Sequence, residues 1–164
     1  MLSKTMQDAI NEQIKHELYS AYIYLAMSAH AEAENWPGAA RWLRAQAAEE
    51  QTHAMKLFDF VNDRGGRVSL QAIAQPPQEF TSLLDVFEQV LAHERKVTAL
   101  IHRLYETAVS EKDYAAQVML QWFIGEQVEE EKNASQIVDA LKLVGAQGTA
   151  LFVLDRQLGA RGAD

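Results

Sequence analysis

Charged side chains recur on the faces of this chain that helical spacing assigns to a core. The run Leu43, Gln46, Glu50, His53, Leu57, Phe60 advances by threes and fours, as does Leu120, Phe123, Gln127, Glu130, Ala134, Ile137, Leu141. Residues so spaced share one side of a helix. Two further stripes behave alike: Ile10, Ile14, Glu17, Ala21, Tyr24, Ser28, and Phe87, Val90, Glu94, Val97, Ile101, Leu104. Burying an isolated carboxylate costs on the order of tens of kcal/mol by Born solvation, so each acid needs a partner or a metal. One inward acid on each of four helices calls for a fold that brings four helices to one place.

The chain breakers set the helix boundaries. Three prolines and eight glycines are present, and they cluster. The first helix, α1, is expected over about 3–34. Pro37 suits the first turn of α2, where its missing N–H costs little. Helix α2 is expected to reach about residue 64, and Gly65-Gly66 can end it. Residues 65–80 show no helical period, and Pro76-Pro77 forbids one. Thr81 or Ser82 can cap α3. A short break at 110–113 leads into α4, which ends near Gly145, and a short amphipathic α5 is expected over about 149–158. The short joins make α1/α2 and α3/α4 antiparallel hairpins. About 16 extended residues span roughly 50 Å, against roughly 40 Å for a 27-residue helix. The 65–80 segment can therefore run the length of the bundle, which makes α2 and α3 parallel. The expected fold is all-α: a four-helix bundle with one long crossover and a short fifth helix, one domain over residues 1–164 with the bundle at about 3–145.

Composition removes whole classes of function. The chain has no cysteine, so disulfides, thiolate zinc sites, iron–sulfur clusters and a cysteine nucleophile are excluded. The net charge of −8 disfavours nucleic-acid binding and attracts cations. No apolar run is long enough for a membrane span. No signal-like stretch opens the chain, so a cytoplasmic location is expected.

Glu17, Glu50, Glu94 and Glu130 carry about four negative charges when ionised, and His53 adds a nitrogen one turn from Glu50. Two divalent cations would balance that charge, and an oxygen-rich set suits iron or manganese. Bridging carboxylates hold paired metals roughly 3.5–4 Å apart. Alone, a Glu three residues before a His is an ordinary surface pair; its place on the apolar stripe beside three more acids sets it apart. The run Glu129-Glu130-Glu131 also resembles a solvated charge run, and Glu131 is read that way. His16, His30, His93 and His102 read as surface or packing residues, and Met27, Met119 and Trp122 as filler, with Trp122 one turn from Glu126 and able to wall the site. The 149–158 segment either caps the bundle end or packs with copies of itself.

These pieces resemble the ferritins, and within them the bacterial and archaeal non-haem ferritins. The matching segments are Glu17-Leu18-Tyr19-Ser20-Ala21-Tyr22, Glu49-Glu50-Gln51-Thr52-His53-Ala54, Glu94, and Glu126-Gln127-Val128-Glu129-Glu130-Glu131. The resemblance implies that Glu17, Glu50 and His53 ligate one iron and that Glu50, Glu94 and Glu130 ligate a second, with Glu50 bridging. It implies Gln127 as a hydrogen-bonding neighbour of the metals and Tyr24 as a nearby phenol; a packing role for Tyr24 stands equally open. Glu49, Glu126 and Glu129 match an additional acidic iron site of prokaryotic members, or are plain surface acids. Glu49 and Glu129 each adjoin an inward ligand, so they point about 100° away from it. Haem-containing bacterioferritins repeat Glu-x-x-His on the fourth helix. Here that helix has Gln127-x-x-Glu130, position 52 is Thr52, and Met55 lies on another face, so no haem is expected.

The function implied is iron storage with ferroxidase activity. Fe(II) would be oxidised by dioxygen or peroxide and stored as ferric oxyhydroxide inside a hollow shell of twenty-four copies. Two rivals are a rubrerythrin-like oxidase or peroxidase, which usually carries a cysteine-ligated iron domain, and a helical scaffold without catalysis, which would lack inward ligands.

Overall fold

Capping residues start three of the five helices. The computed structural model describes residues 1–161. Helix α1 covers Lys4–Ala33, and Ser3 accepts a hydrogen bond from the Met6 amide at 3.1 Å. Helix α3 covers Leu83–Ser110; Ser82 rather than Thr81 is the cap, accepting from Asp85 N, while the Asp85 carboxylate accepts from Thr81 N. Such reciprocal bonds satisfy amides that lack a partner in a first turn. Helix α4 covers Tyr114–Val144, capped by Asp113 onto Ala116 N. Helix α2 covers Pro37–Asp63 with Pro37 in its first turn, and α5 covers Gly148–Leu158. Each boundary falls within a residue or two of its expected place. The expected domain span of 1–164 runs three residues beyond those described.

The crossover runs as its length requires. Near its start, Asn11 of α1 donates to Arg67 O at 3.0 Å and accepts from Ser69 N. Near its end, Phe80 packs edge-on against His30 at the other end of α1, with ring centroids 5.1 Å apart. The segment thus travels the length of α1, and α3 runs parallel to α2. Helix α1 packs against α2 and α3, and α3 against α4. No α-carbon of α2 comes within 8 Å of one of α4 among the described residues, so long side chains fill the space between those two helices. No described helix is long and apolar enough to cross a membrane.

Helix α5 caps the bundle end by packing on α2 and α4. Trp36, at the N-cap of α2, makes no side-chain cap bond. Asp155 of α5 does so from far along the chain, accepting from Gly38 N at 3.0 Å and Ala39 N at 2.8 Å. The approach is so close that a Cβ on Gly38 would lie 1.7 Å from the Asp155 carbonyl oxygen. Only glycine fits there.

Two apolar clusters fill the bundle above and below its middle. Tyr24, Met27, Leu43, Phe87 and Val138 belong to one; Ile10, Ile14, Leu57, Ile101, Leu120 and Phe123 belong to the other. The polar layer lies between them. Two stripe positions slip: Val61 and Val138 are buried, whereas Phe60 and Ile137 are only partly so. A straight helix drifts about 20° per heptad against a strict seven-residue repeat, which moves the inward position by one residue towards the helix end.

Candidate metal centre

Four carboxyl groups from four helices meet in that layer. Glu17 of α1, Glu50 of α2, Glu94 of α3 and Glu130 of α4 are each at most 5% exposed. His53 is also buried, and its Nδ1 lies 3.2 Å from Glu50 Oε2. Ligand-type atoms of Glu17, Glu50 and His53 all fall within 4.8 Å of one another. A second group of the same tightness joins Glu49, His53, Glu126 and Glu130. Glu94 belongs to neither tight group. It is held by the Tyr24 hydroxyl, which donates to its Oε1, and by Gln127 Nε2, which donates to its Oε2 at 3.1 Å. Gln127 thus turns its amide hydrogens towards a carboxylate. Glu129 is exposed on the neighbouring face of α4.

Donors hold every buried acid in place. Gln13 donates to Glu17 at 2.8 Å, and Gln46 donates to Glu130 at 2.7 Å and to Glu50 at 3.3 Å. Among the described residues no buried side-chain polar atom lacks a partner. Sequence reasoning placed Gln46 on the inward stripe without a role and passed over Gln13. The signal was there: Gln13/Glu17 and Gln46/Glu50 are the same four-residue spacing on two helices, which stacks an amide over a carboxyl.

Burial dominates the electrostatics. Burial and the charge of Glu50 raise the Glu17 carboxyl well above its ordinary range. Burial and the charge of Glu94 do the same to Glu50. Glu94 is raised by burial, against the opposing pull of the Tyr24 and Gln127 hydrogen bonds. Glu130 is raised to about 8, by burial first and then by the charges of Glu94 and Glu49. Burial also raises Glu126, helped by Glu49 and Glu129. Without a metal, protons therefore offset the negative charge, as expected for crowded carboxyls. Burial and the carboxylates around it keep the Tyr24 phenol protonated.

Aromatic rings close the site. Trp122 sets its ring edge-on to His53 at 5.4 Å and so walls the centre, although it is 41% exposed and no core filler. Met27 is fully buried and Met119 partly. The other histidines take packing or surface places. His93 bonds Ser20 through Nε2 at 2.8 Å and packs edge-on against Tyr24, His16 lies 3.5 Å from Glu12, and His102 is exposed.

Four helices that project carboxyls and an imidazole into a shared buried layer have the build of the carboxylate-rich di-metal bundles. The model of the ferritin-like domain matches residues 7–144. A bacterial non-heme ferritin of Staphylococcus aureus is 38% identical over 164 residues, covering 100% of this chain and 99% of the relative. One from Staphylococcus saprophyticus is 40% identical over the same span, covering 98% of the relative. Among solved structures, an open pore ferritin from the hyperthermophilic archaeon Archaeoglobus fulgidus superposes with a TM-score of 0.97 at 48% identity, covering 98% of this chain and 99% of that one. The chain belongs to the ferritin family.

Proposed function

We propose that this ferritin stores iron by oxidising Fe(II) at the buried carboxylate layer. The observation that carries the reading is the convergence of Glu17, Glu50 and His53 within 4.8 Å, beside buried Glu94 and Glu130. Iron is the substrate. Glu17, Glu50 and His53 hold one Fe(II); Glu50, Glu94 and Glu130 hold the other, with Glu50 between them. Each carboxyl kept neutral by burial gives up its proton as a cation arrives, so binding releases protons. Each Fe(II) then loses one electron. The pair reduces one dioxygen to hydrogen peroxide with uptake of two protons, or one hydrogen peroxide to two waters with the same uptake. Hard carboxylate oxygens favour the ferric product. Fe(III) leaves for the shell interior and hydrolyses to oxyhydroxide. Tyr24 and Gln127 orient Glu94 through their hydrogen bonds to its two carboxylate oxygens. The clustering of Glu49 and Glu126 with Glu130 supports a third cation site, with Glu129 on its outer side.

The functional unit is the single domain over 1–164, assembled as a hollow shell of twenty-four copies in the cytoplasm. Exposed Leu143, Tyr114, Val118, Val128 and Phe152, each more than half exposed in the isolated chain, supply apolar surface for contacts between copies. Aerobic addition of Fe(II) to the metal-free protein tests the reading. Rapid oxygen uptake with amber, protein-bound iron in a large particle is expected. Oxidation no faster than in buffer would overturn it.

A further inference from the structure

Arg161 follows α5 and reaches back to the metal layer. Its Nη1 donates to Gln46 Oε1 at 2.8 Å and its Nη2 to Glu49 Oε2 at 2.6 Å. The guanidinium lies over the Trp42 ring, 4.6 Å from the centroid, which fixes its plane. Gln46 is 1% exposed. A guanidinium carries only donors, so the Gln46 amide must turn its oxygen to Arg161. Its NH2 group is thereby aimed the other way, at Glu130 and Glu50. The same fork places a fixed positive charge on Glu49, within the Glu49, His53, Glu126, Glu130 group.

We propose that Arg161 is a positioning residue that sets the Gln46 amide against the two metal-binding carboxylates and acts as a built-in cation competing with a third metal for Glu49. The proposal rests on the di-metal reading of Glu50 and Glu130. It assigns the segment after α5 a direct link to the centre through one side chain. A cation that takes the Glu49 oxygen held by Arg161 displaces the guanidinium, and displacing it from Gln46 as well frees that amide to flip. Occupancy of the outer position and the geometry of the inner pair are therefore coupled.

Co(II) is the probe, because its visible spectrum reports ligand number and geometry. The assembled, metal-free protein is titrated with Co(II) alone, with bound metal counted by equilibrium dialysis. The parent should take two tight equivalents per chain and a weak third. In Arg161→Ala the third should tighten at least tenfold, and the gain should vanish in Arg161→Ala/Glu49→Gln. The spectrum of the first two equivalents should also change. Arg161→Lys, which keeps the charge but cannot reach both oxygens with a planar fork, should weaken the third site again without restoring the parent spectrum. Metal-free Arg161→Ala should also melt below the parent, because the buried Gln46 oxygen loses its donor; mere docking of α5 would lower the melt in the same way but leave the third site and the spectrum unmoved. An unchanged third site and spectrum in Arg161→Ala, or a gain that survives loss of the Glu49 carboxylate, overturns the proposal. A parent without two tight equivalents instead refutes the di-metal centre itself, and the premise with it.

Discussion

Raising the pH should destabilise the metal-free protein through Glu130, and a neutral isostere should abolish that part of the loss. The Glu130 carboxyl is raised from 4.5 to about 8 by burial and by the charges of Glu94 and Glu49. A carboxyl whose folded value lies above its unfolded one stabilises fully below the unfolded value and loses that contribution as pH rises through the folded one. The window here is pH 4.5 to about 8. Each pH unit within it costs about 1.4 kcal/mol, so this one group accounts for about 5 kcal/mol across the window. Glu17, Glu50 and Glu94 shift in the same direction and add to it. Denaturant unfolding of the metal-free protein at matched concentrations, from pH 5 to 9, measures the loss. Glu130→Gln should lower the slope markedly while preserving the bond from Gln46. Saturating Zn(II) should flatten it in the parent, because the cation replaces the proton. Parallel curves for Glu130→Gln and the parent would refute the reasoning. The same upward shift implies that Glu130 is largely protonated near neutral pH and releases that proton when metal binds, which calorimetry in buffers of different ionisation enthalpy can read.

Three more outcomes are expected. Replacing Glu50 or His53 by alanine should slow the fast phase of Fe(II) oxidation about 100-fold or more without dissolving the assembly; stopped-flow absorbance and size-exclusion chromatography read the two. Gly38→Ala should cost roughly 2–3 kcal/mol, since a Cβ 1.7 Å from the Asp155 carbonyl forces α5 off and breaks both cap bonds; thermal melting checks it. Glu129→Ala should alter the oxygen consumed per iron rather than stop oxidation, and an unchanged ratio would return Glu129 to the role of a solvated acid.

The bundle was legible because burial leaves a periodic trace. Stripes carrying Glu17, Glu50, Glu94 and Glu130 announced four helices and their inward faces, and the length of the 65–80 segment announced the crossover. What escaped were contacts between parts remote in sequence. Asp155 caps α2 from α5, and Arg161 grips Gln46 and Glu49, yet neither leaves a periodic mark. Gln46 looked like one polar residue in a stripe until a donor-only neighbour settled which way its amide faces. Glu49 and Glu126 prove to lie close to His53 and Glu130, whereas Glu129 stays on the exposed face. Rotation per residue alone could not separate those cases, because it says nothing about which helix stands opposite.

Crystals soaked anaerobically in Fe(II), with anomalous differences recorded at the iron edge, test the central claim most directly. Two peaks roughly 3.5–4 Å apart are expected, one among Glu17, Glu50 and His53 and one among Glu50, Glu94 and Glu130. Saturating Fe(II) with no anomalous density between those side chains would contradict the account.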